Sequence, residues 1–265
     1  MSNEHCRTSD TSIEIATQSG HLAAVYESSI TLTGAYPQLY KYFNALGYAN
    51  PNLNILEVGA GTDGAIRVIL RALSSPDLGY KQYRTYTFMD ISSVFLSPAA
   101  SSLSVYKDVC FTLLDIEADP LAQGFEAQYD VIVASYCLQA TTRISETLRN
   151  CKITLKPGGK LVMVENVRSL VGHGLALVTL PGYWKGAGDG RIDSLILSHS
   201  GWGKALRENG FSGVNIMLED YPAPYSVACV LVATLTTEAR VNFCMGSYVR
   251  TRRDSSNTYA KAMTW

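Results

Sequence analysis

Asn54-Ile55-Leu56-Glu57-Val58-Gly59-Ala60-Gly61-Thr62-Asp63-Gly64 reads as a short apolar strand running into a glycine-rich turn and then a helix. Ile55, Leu56 and Val58 supply the strand. Gly59, Gly61 and Gly64 allow a sharp turn and let a ligand approach without meeting a Cβ. The spacing predicts a helix over Gly64–Leu73, with Ala65, Val68, Ile69 and Ala72 on one face. Its first turn would aim free N–H groups at whatever lies over the glycines.

By letter, Gly59-x-Gly61-x-x-Gly64 also matches the dinucleotide fingerprint, and a glycine turn with no ligand is the plainest alternative. Two details favour S-adenosylmethionine. Glu57 stands two positions before the first glycine, where a carboxylate suits the ammonium of an amino-acid ligand and has no use against a pyrophosphate. The order of the later strands is the second detail.

After the helix, Tyr83–Met89 is aromatic, β-prone and ends in Asp90. A carboxylate at that tip can accept from both hydroxyls of a ribose. Asp90 lies 31 residues beyond Gly59, farther than the ~20 usual in a dinucleotide fold, and residues 76–82 form the extra loop. Val105–Leu114 is a third strand region leading to Asp115, placed to accept from an adenine amino group, with Ile116 packing on the ring; a turn or helix-cap acid is the alternative. Residues 129–136 are continuously apolar, as a parallel strand buried on both faces requires. A helix is expected over Leu138–Cys151, a turn over Lys156–Lys160, and a fifth strand over Leu161–Glu165.

Val167–Leu197 is glycine-rich and holds Leu180-Pro181-Gly182-Tyr183-Trp184, an aromatic loop suited to a substrate wall. A helix over Ser200–Asn209 follows. Two strands, Gly213–Leu218 and Ser226–Leu235, are joined by Tyr221-Pro222-Ala223-Pro224-Tyr225, a link so short that they must pair antiparallel. Parallel strands closed by a C-terminal antiparallel hairpin are the methyltransferase variant of the doubly wound α/β sheet. Upstream, Ser12–Leu46 is helical in two or more pieces, with Pro37 in the first turn of the second. A helical lid over residues 1–50, a core over 51–235 and a C-terminal extension over 236–265 are expected.

The 265 residues are 47% hydrophobic and 17% charged, a globular composition, and the net charge of −1 gives no electrostatic case for nucleic acid or an anionic membrane. Six cysteines show no CxxC spacing, so no metal or redox motif is expected. Cys110, Cys137 and Cys229 lie in apolar runs and read as reduced core residues. The polar N-terminus carries no signal peptide and no run of 18 apolar residues occurs, so a soluble, cytoplasmic protein is expected.

Six stretches together resemble the C-methyltransferase domain of fungal highly reducing polyketide synthases, here as a free-standing chain: ILEVGAGTDG (55–64), YTFMDIS (86–92), LLDIEADPLAQGFEAQYDVIVAS (113–135), TLRNCKITLKPGGKLVMVE (147–165), LPGYWKGAGDGR (180–191), and the 197–214 stretch with Gly201-Trp202 and Gly210-Phe211-Ser212-Gly213-Val214. The resemblance implies a class I methyltransferase Rossmann-like fold and S-adenosylmethionine as cofactor. It implies a polyketide-type substrate, such as a β-ketoacyl group on an acyl carrier protein, and a synthase as partner. The cofactor set it implies is Glu57, Gly59, Ala60, Gly61, Thr62, Gly64, Asp90, Ile91, Asp115, Ile116 and Ser135. Tyr136, His173, Tyr183, Trp184 and His199 are the candidate substrate residues, although residue type and loop position favour a surface or packing role for the two histidines.

The family's catalytic pair is a histidine in a Leu-His-Ala-Thr segment and a glutamate ending the fifth strand. Here the segment is Leu138-Gln139-Ala140-Thr141, and the glutamate is Glu165. The catalytic candidates are therefore Gln139 and Glu165, although an amide takes no proton at neutral pH. Methylation of an acidic carbon or an enol needs no strong base. The alternative is a cyclase or pericyclase that binds the cofactor or nothing and transfers no methyl group. An inactive docking partner of a synthase is a third reading.

Overall fold

The computed structural model describes residues 30–169, 181–191 and 194–236. Apolar alternation builds the frame. In β1 (Asn54–Val58), Ile55 packs to one face of the sheet, and Leu56 and Val58 to the other. The pattern repeats in β6 (Tyr129–Ser135), where Val131 and Val133 oppose Ile132 and Ala134. It repeats again in β7 (Leu155–Asn166), where Val162 and Val164 oppose Leu161 and Met163. Each strand therefore serves two cores, as a sheet covered on both faces must.

The seven strands run in the order β5-β4-β1-β6-β7-β9-β8. β1 pairs parallel with β4 (Thr85–Asp90) and β6, β4 with β5 (Val109–Leu113), and β6 with β7. β9 (Ala228–Thr234) is antiparallel to both β7 and β8 (Ile216–Glu219). Asp220 closes that hairpin, since its two carboxylate oxygens accept from the amides of Val227 and Ala228, each at 3.0 Å. This is the expected class I methyltransferase topology. The extra loop after the glycine helix is a small hairpin of β2 (Ser74–Ser75) and β3 (Tyr80–Lys81).

One face carries α1 (Ile30–Ala49), α2 (Gly64–Leu73) and α3 (Ser93–Ser102). The other carries α4 (Ile144–Thr154) and α5 (His199–Glu208), with Leu148, Cys151, Trp202 and Leu206 fully buried. The glycine helix α2 has the bounds expected from its spacing.

Three expectations are corrected. Pro37 lies inside a continuous helix, not in the first turn of a second one. It forfeits one helical hydrogen bond, and burial of Ala35, Leu39 and Phe43 holds the helix regardless. Residues before 30 lie outside the described ones. Cys110 is exposed, because β5 is the edge strand of the sheet. The helix expected from Leu138 begins only at Ile144; Leu138–Ala140 is a short 3-10 turn. The carbonyls of Gln139 and Thr141, which a continued helix would use for its own ladder, instead accept from Arg191.

Among the described residues no helix is long and apolar enough to cross a membrane, and no group of side chains is arranged to hold a metal ion.

Candidate active site

In a doubly wound sheet the crevice at the carboxyl ends of the strands, where the order reverses beside β1, receives ligands. The candidates gather there. Glu57, next to last in β1, and the glycine turn leave one strand; Asp90 ends β4; Ser135 ends β6; Glu165 is next to last in β7.

Glu57 is 1% exposed. Its Oε2 accepts a 2.7 Å hydrogen bond from the Tyr86 hydroxyl, and its Oε1 is buried without a hydrogen-bond partner. Burial, countered by the Tyr86 bond and reinforced by Asp63 and Asp90, pushes its carboxyl up to about 8. An unsatisfied buried polar atom is costly, and a cationic donor placed against Oε1 would favour the carboxylate form and satisfy it.

Asp90 is engaged with the backbone. Oδ2 accepts from Gly61 N and Oδ1 from Ser92 N, both at 2.9 Å. It thus ties the glycine turn to β4 while each oxygen keeps a second lone pair for a hydroxyl. Ala60 N donates to Met89 O at 3.0 Å, a second tie between the same two segments. Ile91 projects into solvent, 68% exposed. Asp115 follows β5 and accepts from Glu117 N through Oδ1 at 2.9 Å; Ile116 beside it is buried.

The glycines are needed where they stand. Gly59 has φ +62°, and a Cβ there would lie 2.7 Å from the Cys137 Cβ. Around Gly61 (φ +52°) the space is open, the nearest atom to such a Cβ being Gly59 O at 3.9 Å. Gly59→Ala is expected to cost about 2–4 kcal/mol, from left-handed strain plus overpacking. Gly79→Ala, also at positive φ but with nothing within 4 Å, should show the strain alone, about 1–2 kcal/mol. Chemical denaturation of both variants checks this; equal losses would remove the Cys137 contact from the account.

Sequence reasoning missed several residues of the crevice. Tyr36, from α1, places its hydroxyl 3.4 Å from Ser135 Oγ, and its ring covers Gly64. Tyr86 holds Glu57. The Cys137 thiol donates to Val58 O at 3.1 Å, and burial raises it well above the ordinary thiol range, so it is an inert packing group. None of these carries a spacing signal; each reaches the crevice from a different element.

Glu165 is fully buried. Oε1 accepts from the amides of Leu138 (3.1 Å) and Gln139 (3.4 Å), and Oε2 has no hydrogen-bond partner. Burial pushes its carboxyl up to about 8, against the lowering influence of the two amides and of Arg191. Gln139 presents a buried Oε1 that is also without a partner. The two catalytic candidates are therefore brought together, Glu165 of β7 binding the amides of the turn that carries Gln139, and each has an unsatisfied polar atom. Tyr136 enters the turn with φ +54° and donates its amide to Val164 O at 2.8 Å.

The substrate candidates are less well joined to this centre. Trp184 is 49% exposed in the 3-10 segment Pro181–Asp189, which also holds Tyr183. His199 is exposed at the first turn of α5, and no hydrogen bond or ion pair among the described residues links it to Gln139 or Glu165. His173 lies outside the described residues.

Comparison with known proteins bears on the fold and the family. A methyltransferase-domain family profile matches residues 56–161. The chain is 48% identical over 228 residues to prosolanapyrone synthase of Alternaria solani, covering 86% of this chain and 9% of that protein. Further relatives of similar coverage are highly reducing polyketide synthases, so the chain spans about a tenth of the length of the curated relatives it matches. Among solved structures it is similar to the trans-methyltransferase CalH in complex with S-adenosylhomocysteine, at 32% identity and a TM-score of 0.78, covering 84% of this chain and 62% of that one. It is also similar to the CMeT domain of the citrinin polyketide synthase, at 25% identity and a TM-score of 0.60, covering 70% and 47%.

Proposed function

Because this chain is a relative of the C-methyltransferase domains of fungal highly reducing polyketide synthases, we propose that it methylates a polyketide-type substrate from S-adenosylmethionine, at the α-carbon of a β-ketoacyl group or at an enol. The observation that carries the cofactor reading is the orphaned, buried Oε1 of Glu57, on the strand that runs into a glycine turn left open at Gly61. Glu57 would hold the ligand's ammonium, Asp90 its ribose, and Asp115 with Ile116 its adenine. Gly59, Ala60, Gly61, Thr62 and Gly64 would pass beneath it, with Ile91 and Ser135 at its margins. When bound, S-adenosylmethionine supplies an electrophilic sulfonium methyl group.

The chain's own residues set what can accept that methyl. Glu165, held near 8, is mostly the neutral acid at pH 7 and can donate through its unpartnered oxygen. Gln139 offers an amide that donates and accepts but takes no proton. The pair suits a substrate already enolic, or with a carbon acidic enough to lose its proton to solvent. Proximity and orientation then carry the rate. The described part of the region expected as a lid, α1, packs into the core; residues 1–29, 170–180 (with His173) and 237–265 lie outside the described ones, and Tyr136, Trp184 and His199 are proposed to face substrate. A polyketide synthase as the partner that delivers the substrate, on a carrier protein and in the cytoplasm, is part of the proposal; the relatives' names support only the synthase.

A second reading is kept by one observation, Gln139 at the histidine position. In it the same turn polarises a carbonyl as charge develops, cyclising a substrate without methyl transfer. Incubation with methyl-labelled S-adenosylmethionine and either a cyclic 1,3-diketone or a β-ketoacyl N-acetylcysteamine thioester separates the two. Label should enter the enolic diketone faster than the thioester. No label in either, from protein that binds S-adenosylhomocysteine, would move the account to the cyclase.

A further inference from the structure

The turn that carries Gln139 is not held by its own helix. The carbonyls of Gln139 and Thr141 are taken by one side chain from about fifty residues downstream. Arg191 Nη1 donates to Gln139 O at 2.5 Å and Nη2 to Thr141 O at 2.7 Å. The guanidinium is held in turn: Nε lies 3.3 Å from Asp189 Oδ2, and the side chain is 9% exposed. The same Asp189 oxygen accepts from Ile144 N at 3.0 Å, at the start of α4. On the near side Glu117 Oε2 accepts from Thr142 N at 2.8 Å, and Lys185 Nζ lies 3.7 Å from Glu117 Oε1. The segment after the aromatic loop is therefore fastened across the Gln139 turn from both ends.

We propose that Arg191 is a positioning residue of the candidate site, fixing the turn that bears Gln139 and supplying the positive charge that faces Glu165. The geometry carries this in two steps. Glu165 Oε1 is bound by the amides of Leu138 and Gln139, and Arg191 holds the carbonyl of that same Gln139. A guanidinium forks across two carbonyls in a way no ammonium can. The charge also reaches the carboxylate: Arg191 lowers the Glu165 pKa, and Glu165 raises that of Arg191. Burial is the largest influence on the Glu165 carboxyl, which the amides of Gln139 and Leu138 and the charge of Arg191 oppose, while Asp189 and Glu117 act on Arg191. Arg191 is therefore the cation that opposes burial at Glu165.

This rests on the site proposed above but not on its reaction, and its test uses ligand-free protein. The Glu165 carboxyl is followed by carbon NMR of protein labelled at the glutamate carboxyl carbons, with Glu165→Gln assigning the signal. The wild-type midpoint is expected near 8. Arg191→Met should move it upward by about one pH unit, because a cation no longer favours the carboxylate, and Arg191→Lys should return most of that shift. A role limited to fastening the loop gives the opposite result. Loosening would wet Glu165 and leave the Arg191→Met midpoint unchanged or lower, overturning the proposal. If Arg191→Met does not fold, Arg191→Gln, which keeps a neutral donor for the carbonyls, carries the same comparison. Failure of methyl transfer would leave these midpoints where they are, so the two proposals fail separately.

Discussion

Replacing Gln139 with histidine raises methyl transfer to a β-ketoacyl thioester by about 10²–10⁴, the range spanned by a positioned general base. The imidazole would arrive on a turn already gripped by Arg191, next to a carboxyl whose Oε2 lacks a partner. It removes the α-proton that the amide cannot, and Glu165 orients it and supports its charge. Initial rates with labelled S-adenosylmethionine measure the gain. Adding Glu165→Gln should remove most of it, because the imidazolium then has no counter-charge. If the native reaction is a cyclisation, the same variant loses it while gaining methylation. Unchanged rates for both reactions would place Gln139 away from the chemistry.

The second large effect falls on Glu57. Glu57→Gln should weaken S-adenosylhomocysteine binding by about 10–100-fold, the worth of one charge-assisted hydrogen bond in a buried site. Its pH dependence is the sharper signature. Free Glu57 sits near 8 and is largely protonated at neutral pH. An ammonium ligand favours the carboxylate, so binding releases a proton, and wild-type affinity rises as pH rises toward 8. The glutamine variant cannot release that proton and should show a flatter profile. Calorimetry in two buffers of different ionisation heat reads the proton directly. Equal pH profiles for the two proteins would remove Glu57 from the ligand.

The parts of the fold that depend on local pattern could be read from the chain. β6 and the Leu161–Val164 part of β7 are short apolar runs, as parallel strands buried on both faces require, although β7 also takes in Lys156–Lys160, which reads as a turn. Gly64–Leu73 has one clean apolar face, and the proline-rich link left Ile216–Glu219 and Ala228–Thr234 no choice but to pair antiparallel. The carboxylates at strand ends could be named because topology puts strand ends at the crevice. What distance decides was not legible. Leu138–Cys151 has helical spacing throughout, and it breaks because Arg191 and Asp189 capture its backbone from another segment. Cys110 sits in an apolar run, yet β5 is an edge. Pro37 looks like a helix start, and tertiary burial on either side overrides it. Tyr36, Tyr86 and Arg191 come to the site from elements whose meeting no short window reveals.

Calorimetric titration of the ligand-free protein with S-adenosylhomocysteine tests the central claim most directly. The account predicts one site per chain, weakened in Glu57→Gln and in Asp90→Asn. A folded sample that binds neither S-adenosylhomocysteine nor S-adenosylmethionine would contradict it, and with it the assignment of the crevice above β1 to a methyl donor.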